Sequence, residues 1–191
     1  GPDLLDHDRI ELVFEGLDTY ADVYLNEKLI LETDNMFRTW TIDGSGILKD
    51  GKNELRILFH SPTLKGKEAL KEFGFQLAAD NDQSENGEMG SDRVSPYVRK
   101  APYHFGWDWG PRLVTSGIWR GIELRAWGEG RIENVQIITE NLSKNQAELI
   151  TRIKLDVQKT GKYTVNISLD SIRNYSGIWN LESGIKNVEI P

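Results

Sequence analysis

The chain has 191 residues, of which 38% are hydrophobic and 28% charged, and its formal net charge is −7. That acidic balance argues against nucleic acid or an anionic membrane as a partner, and no apolar run approaches the ~18 residues of a membrane span. Cysteine is absent, which excludes disulfides and thiolate metal sites and fits a reducing cytoplasm; we expect a cytoplasmic protein of bacterial origin. The chain begins without Met or a signal segment, so we interpret it as an excised fragment of a longer protein.

Apolar and polar residues alternate with a period of two over the first 60 residues, which predicts half-buried β-strands. The predicted strands are Ile10–Phe14, Ala21–Leu25, Leu29–Leu31, Arg38–Ile42 and Leu55–Phe59. Asn26-Glu27-Lys28 is predicted to be a hairpin turn, although Glu27 stands where such a turn prefers glycine.

The alternation stops between His60 and Arg99. A short helix is predicted from Thr63 to about Leu77, with Gly66 and Gly74 as its weak points. The segment Asp80–Asp92 holds five acidic residues and no basic one, and its composition predicts a mobile loop.

The last third of the chain returns to the β pattern. Ile118, Ile122, Leu124 and Ala126 share one parity, which predicts a single long strand that ends at Trp127–Gly130. We therefore predict an all-β protein with a first domain at residues 1–128 and a second at residues 129–191. Three further alternating runs predict an immunoglobulin-like β-sandwich, which is partial because such a domain takes ~100 residues.

The segment Tyr97–Arg120 concentrates aromatic residues, glycine and proline, a combination that favours a shaped surface over a regular helix or central strand. At its middle, Trp107-Asp108-Trp109 places a carboxylate between two large rings. A sugar site needs that combination, because the carboxylate accepts hydrogen bonds from hydroxyls and the ring packs on the apolar face of the pyranose. The alternative is a packed core in which Asp108 pairs with Arg99, Lys100 or Arg112.

Two stretches of this segment also carry a resemblance to a known family. Residues 99–112, which include Trp107-Asp108-Trp109-Gly110-Pro111, and residues 115–120 resemble the N-terminal domain of β-mannosidases in glycoside hydrolase family 2. Residues 14–26 are similar to an earlier part of the same domain. The resemblance implies a jelly-roll-like, galactose-binding-like β-sandwich that lacks its first strands, in an exo-acting retaining enzyme that hydrolyses terminal β-D-mannose.

The resemblance also implies roles for individual residues. Asp108 would bind sugar hydroxyls, with Trp107 as the adjacent wall of the pocket. Trp109, Arg112 and Trp119 would hold the loop in shape, and Arg120 would pair with a carboxylate.

The resemblance places the two catalytic glutamates on a barrel domain that is missing from this chain, so no catalytic residue is expected within it. The family's acid/base follows an asparagine, but the Asn-Glu pairs at 26–27 and 53–54 lie in predicted turns and are rejected as catalytic, since an acid/base must be held rigidly. His7, His60 and His104 lack zinc-ligand spacing, and neither a metal nor a cofactor is expected. His104 is expected to bond to its own loop.

Two other functions remain open at this point. A free-standing, lectin-like β-sandwich would have to bind mannosides without the barrel, and another family 2 specificity, such as β-galactosidase, is disfavoured by the Trp-Asp-Trp-Gly-Pro run. Because strands before Ile10 are expected to be missing, the fragment is also expected to self-associate through an unpaired sheet edge.

Overall fold

A computed structural model describes residues 4–79, 82, 92–107, 110–169 and 173–190. The chain divides into two compact units, one formed by Gly1–Leu5 with Ile10–Arg125 and the other by Asp6–Arg9 with Ala126–Pro191. Strands dominate both units, which confirms the predicted all-β class. Within the described residues, no helix is long and apolar enough to cross a membrane.

Two three-stranded sheets build the first unit. Its strands are β1 (Arg9–Phe14), β2 (Leu17–Asp18), β3 (Tyr20–Leu25), β4 (Lys28–Asp34), β5 (Trp40–Asp43), β6 (Leu55–His60), β7 (Gly117–Ile118) and β8 (Ile122–Trp127). The sheets have the strand orders β5-β1-β8 and β4-β3-β6, and β2 pairs separately with β7.

The core of the first unit lies between these two sheets. Leu12 and Phe14 of β1 pack in one cluster with Ala21, Val23 and Leu25 of β3. The period-two alternation of β3 is therefore confirmed, with its odd-numbered residues buried. On β1 the even-numbered residues are buried as predicted, but Glu11 and Val13 are buried too, so this strand is covered on both faces rather than one.

The predicted turn at Asn26-Glu27 joins β3 to β4, and both residues have positive φ, at 50° and 69°. Asn26 donates to the Asn53 side chain at 2.8 Å and accepts from the Glu54 amide at 3.1 Å. The two Asn-Glu pairs thus lie side by side, Asn26-Glu27 in the turn and Asn53-Glu54 just before β6, and they bond to each other. Their rejection as catalytic stays a prediction.

One α-helix, α1 (Pro62–Phe73), occurs within the described residues. The Ser61 hydroxyl accepts from the Leu64 amide at its start, and Gly74 ends it in the left-handed conformation at φ 88°. The predicted end near Leu77 is therefore wrong, because Gly74 terminates the helix earlier.

Gly66 brings α1 against the segment that follows it. A Cβ at this position would lie 2.7 Å from the Cβ of Val94 and 2.9 Å from Val98. Val94 and Val98 are in turn buried against Phe105, with Tyr20 and Val114 at the margin of the cluster. Gly66 lowers the helix propensity of α1, but its missing side chain lets the helix pack closely against Val94 and Val98. Together with Phe105, these two valines form the buried support of the aromatic segment.

We expect Gly66→Ala to destabilise the first unit. Overpacking costs about 1–3 kcal/mol, which exceeds the gain of at most about 1 kcal/mol in helix propensity. Urea unfolding would measure the change in free energy. Gly117→Ala is the matched control, because a Cβ there meets nothing within 4 Å; equal midpoints for the two variants would contradict the packing argument.

The single long strand predicted from Ile118 to Ala126 is wrong, because β7 and β8 are separate. The amides of Trp119 and Arg120 both converge on the Gly16 carbonyl, at 3.2 and 3.4 Å, while the Glu15 amide donates to the Gly121 carbonyl. This irregularity separates β7, which pairs with β2, from β8, which pairs with β1. Ile118 is exposed, whereas the half-buried Ile122 packs against the core of the first unit.

The second unit is a small β-sandwich. Its strands are β9 (Gly130–Leu142), β10 (Ala147–Val157), β11 (Gly161–Leu169), β12 (Arg173–Leu181) and β13 (Gly184–Ile190). One sheet has the order β13-β10-β9 and the other pairs β11 with β12. Val165 of β11 packs in one core with Ile153, Leu155 and Val157 of β10, as the predicted alternation requires.

Candidate functional site

The aromatic segment divides into a buried support and an exposed surface. Phe105 is fully buried with Val94 and Val98, whereas Tyr103 is 67% and Trp107 36% exposed. The exposed Tyr103 and the buried Phe105 both belong to a short 3-10 turn, Pro102–Phe105. One part of the segment is therefore packed core and another is exposed surface, and the sugar site stays a prediction.

Two backbone hydrogen bonds join Trp107 to Gly110, and we call this pair the loop base. The Trp107 amide donates to the Gly110 carbonyl at 3.1 Å, and the Gly110 amide donates to the Trp107 carbonyl at 3.3 Å. Gly106, just before the loop, has a φ of 102°, which favours glycine. Asp108 and Trp109 lie outside the described residues, and their predicted roles stay predictions.

Lys100 has a carboxylate partner other than Asp108. Its side chain is fully buried and its ammonium binds Asp18 of β2, which also accepts from the Thr19 hydroxyl. This pair joins the start of the aromatic segment to β2, and β2 pairs with β7 near the end of that segment.

Arg112 also lies beside a carboxylate other than Asp108. Its Nε lies 3.7 Å from Oδ1 of Asp82, and its Nη2 donates to the Thr63 hydroxyl of α1 at 3.4 Å. The guanidinium stands over the Phe105 ring, 5.5 Å from its centroid. Arg112 thus contacts Thr63 of α1, Asp82 of the acidic segment and the ring of Phe105, and its predicted loop-shaping role stays a prediction.

Trp119 contributes at a different place. Its indole N–H donates to the Met36 carbonyl at 2.8 Å, and its ring fills the space where a side chain at Gly16 would stand. The Met36 amide in turn donates to the Arg99 carbonyl at 3.0 Å. Trp119 therefore contacts Met36, which in turn bonds to Arg99 near the start of the aromatic segment. Through these bonds it is linked to the loop base only indirectly.

Arg120 and His104 have local partners. The Arg120 guanidinium lies over the Trp119 ring, 4.1 Å from its centroid, where the sequence had suggested a carboxylate. His104 Nδ1 lies 3.3 Å from the Leu113 carbonyl oxygen and 3.4 Å from the Thr115 hydroxyl. The expected tie of His104 into its own loop is confirmed.

Tyr20 lies at the margin of the buried cluster of Val94, Val98 and Phe105. Burial raises the pKa of the Tyr20 phenol, and the charge of Asp34 raises it further. In the part of the chain that the structure describes, no three His, Cys, Asp or Glu side chains cluster in a way that could hold a metal ion.

Asp82 contacts a predicted site residue, Arg112, and was not itself identified from the sequence. It falls within Asp80–Asp92, which was predicted to be mobile on composition, and most of that segment lies outside the described residues. Asp82 itself is buried and accepts from the Ser95 amide at 2.8 Å. No local pattern marks it, since its partners lie 13 and 30 residues further along the chain.

Comparison with known proteins places this geometry in a family. β-Mannosidase B of Aspergillus niger is 37% identical over 173 residues, which are 90% of this chain and 18% of that protein. β-Mannosidase B of Neosartorya fischeri is 40% identical over 143 residues, which are 74% of this chain and 16% of that protein.

The crystal structure of the β-D-mannosidase from Dictyoglomus thermophilum matches all of this chain, and 23% of that chain, with 33% identity and a TM-score of 0.85. The chain thus spans less than a quarter of the length of these relatives. Residues 1–120 match the family described as glycosyl hydrolase 2 galactose-binding domain-like. The chain therefore belongs to the galactose-binding-like domains of glycosyl hydrolase family 2.

Proposed function

We propose that the chain is an accessory part of an exo-acting, retaining β-mannosidase that hydrolyses terminal β-D-mannose residues. The observation that carries the proposal is the loop base at Trp107 and Gly110, which is closed by two backbone hydrogen bonds above a buried aromatic support. A loop built in this way can hold a carboxylate and a ring in fixed positions for a sugar. The β-mannosidase relatives supply the choice of sugar.

In this proposal Asp108 accepts hydrogen bonds from mannose hydroxyls and Trp107 forms the adjacent wall. Two of the three cations that could have neutralised Asp108 have other carboxylate partners: Lys100 binds Asp18, and Arg112 lies beside Asp82. That supports a role for Asp108 towards ligand rather than within a core ion pair. Trp109, Arg112 and Trp119 would maintain the shape of the loop.

In this proposal, the groups that cleave the bond lie outside this chain. A retaining glycosidase needs two carboxyl groups about 5–5.5 Å apart, one as nucleophile and one as acid/base. In the proposal these are glutamates of a separate barrel domain in the full-length parent. The 191 residues then provide a pocket rim and an interdomain scaffold.

We expect the isolated chain to show no hydrolysis of an aryl β-mannoside, whereas the full-length parent hydrolyses it. Positioning residues without the acid and the nucleophile have no route to the oxocarbenium-like transition state. The rate at which the aryl alcohol is released measures hydrolysis by the purified chain and by the purified parent. Turnover that persists in the pure chain and disappears when one of its own carboxylates is replaced would contradict the proposal. A parent active only on β-galactosides would redirect it to another specificity of the family.

A further inference from the structure

Asp82 is buried in a way that its sequence surroundings do not explain. None of its side-chain surface is exposed, although it lies in the acidic segment Asp80–Asp92. Its Oδ2 accepts from the Ser95 amide at 2.8 Å, and its own amide donates to the Ala79 carbonyl at 3.0 Å. The backbone on both sides thus fixes the carboxylate in place.

The second oxygen of this carboxylate is directed at Arg112. Oδ1 lies 3.7 Å from the Arg112 Nε, and both atoms are buried without a hydrogen-bond partner among the described residues. A buried ion pair at this separation regains little of the cost of removing two charges from water. Global stability is therefore a poor explanation for the pair.

The position of Arg112 suggests a better explanation. Arg112 follows Gly110, the residue that closes the loop with Trp107, by two positions. Immediately after it, the Leu113 amide donates to the His104 carbonyl at 3.0 Å, which returns the chain to the 3-10 turn before the loop. The arginine thus stands where the chain leaves the loop, between Thr63 of α1 and the ring of Phe105.

We propose that Asp82 is a positioning residue of the sugar site: by holding Arg112, it fixes the exit of the loop whose base is Trp107 and Gly110. It acts through Arg112 and not on the sugar. The link to catalysis rests on the proposed function, whereas the effect on the loop is a property of this chain alone.

The test distinguishes an effect on the position of the loop from an effect on the stability of the fold. In the full-length parent, the Asp82 charge is removed alone and together with the Arg112 charge. Asp82→Asn keeps an acceptor for the Ser95 amide but strands the Arg112 cation, so this single variant can lose stability. Asp82→Asn combined with Arg112→Met removes both charges and leaves no buried ion unpaired, so we expect it to fold with a melting temperature near that of the parent. Asp22→Asn is the matched control, because Asp22 pairs with His60 across β3 and β6.

Two measurements are made on the folded double variant. Hydrogen exchange of peptides that cover residues 105–113 reports the opening of the Trp107–Gly110 hydrogen bonds, and we expect it to be faster while exchange in β3 is unchanged. We expect kcat/KM for an aryl β-mannoside to fall roughly 10- to 100-fold, since small misplacements of a binding group carry penalties of this order. The Asp22→Asn control should match the parent in both.

The outcomes are distinct. Unchanged loop exchange in the folded double variant would overturn the positioning role, and faster exchange with unchanged kcat/KM would overturn its link to the sugar site. If the parent does not hydrolyse β-mannosides but loop exchange still responds, the proposed function fails and the effect of the Asp82–Arg112 pair on the loop stands.

Discussion

Asp108→Asn in the full-length parent is expected to lower kcat/KM for an aryl β-mannoside by roughly 10- to 150-fold. The amide preserves the shape of the carboxylate but replaces an ionised acceptor with a neutral one. A hydrogen bond to a charged group contributes about 1.5–3 kcal/mol, and about 1.4 kcal/mol corresponds to one decade in rate.

The same variant should melt close to the wild-type temperature, because a carboxylate that faces sugar is solvated when the pocket is empty. An Asp108 buried against a cation would behave in the opposite way, since its neutralisation would strand that cation and cost about 3–5 kcal/mol of stability. Melting temperature and kcat/KM measured on one preparation therefore separate the two roles. A large drop in melting temperature with unchanged kinetics in the folded enzyme would refute the assignment to sugar.

The elements that the sequence predicted correctly are those that a local pattern specifies. The alternation in β3 depends on neighbours two residues apart, and the turn at Asn26-Glu27 depends on two adjacent residues. The class of the protein and most strand positions follow from such short-range information.

Apart from the end of α1 at Gly74, which is a local signal, the incorrect or missing predictions involve interactions between distant residues. β7 and β8 are separate because the amides of Trp119 and Arg120 converge on Gly16, about a hundred positions earlier in the chain. Asp18 and Lys100 are 82 residues apart, and nothing near either of them predicts that they pair. The same holds for the candidate site. Its aromatic segment can be identified from local composition, whereas the long-range contacts that support it cannot.

Lys100→Met is expected to destabilise the first unit by about 3–5 kcal/mol, the usual cost of leaving one member of a buried ion pair without its partner. Methionine retains most of the length and apolar character of the lysine stem, so the loss would come from the charge rather than from a cavity. The stranded group is the Asp18 carboxylate, whose side chain is 6% exposed. Among the described residues it accepts from Lys100 and from the Thr19 hydroxyl, and the variant leaves it the hydroxyl.

Chemical denaturation of Lys100→Met and of Lys65→Met in the same unit provides the comparison. Lys65 pairs with Glu68 at 3.1 Å on the surface of α1, and an exposed pair of this kind contributes at most about 1 kcal/mol. Asp18→Asn combined with Lys100→Met should recover much of the lost stability, because neither charge is then buried alone. If Lys100→Met loses no more stability than Lys65→Met, the pair does not hold the aromatic segment against β2. The aromatic segment would then be joined to the sheets by other contacts, such as the Trp119 hydrogen bond to Met36 and the pairing of β7 with β2.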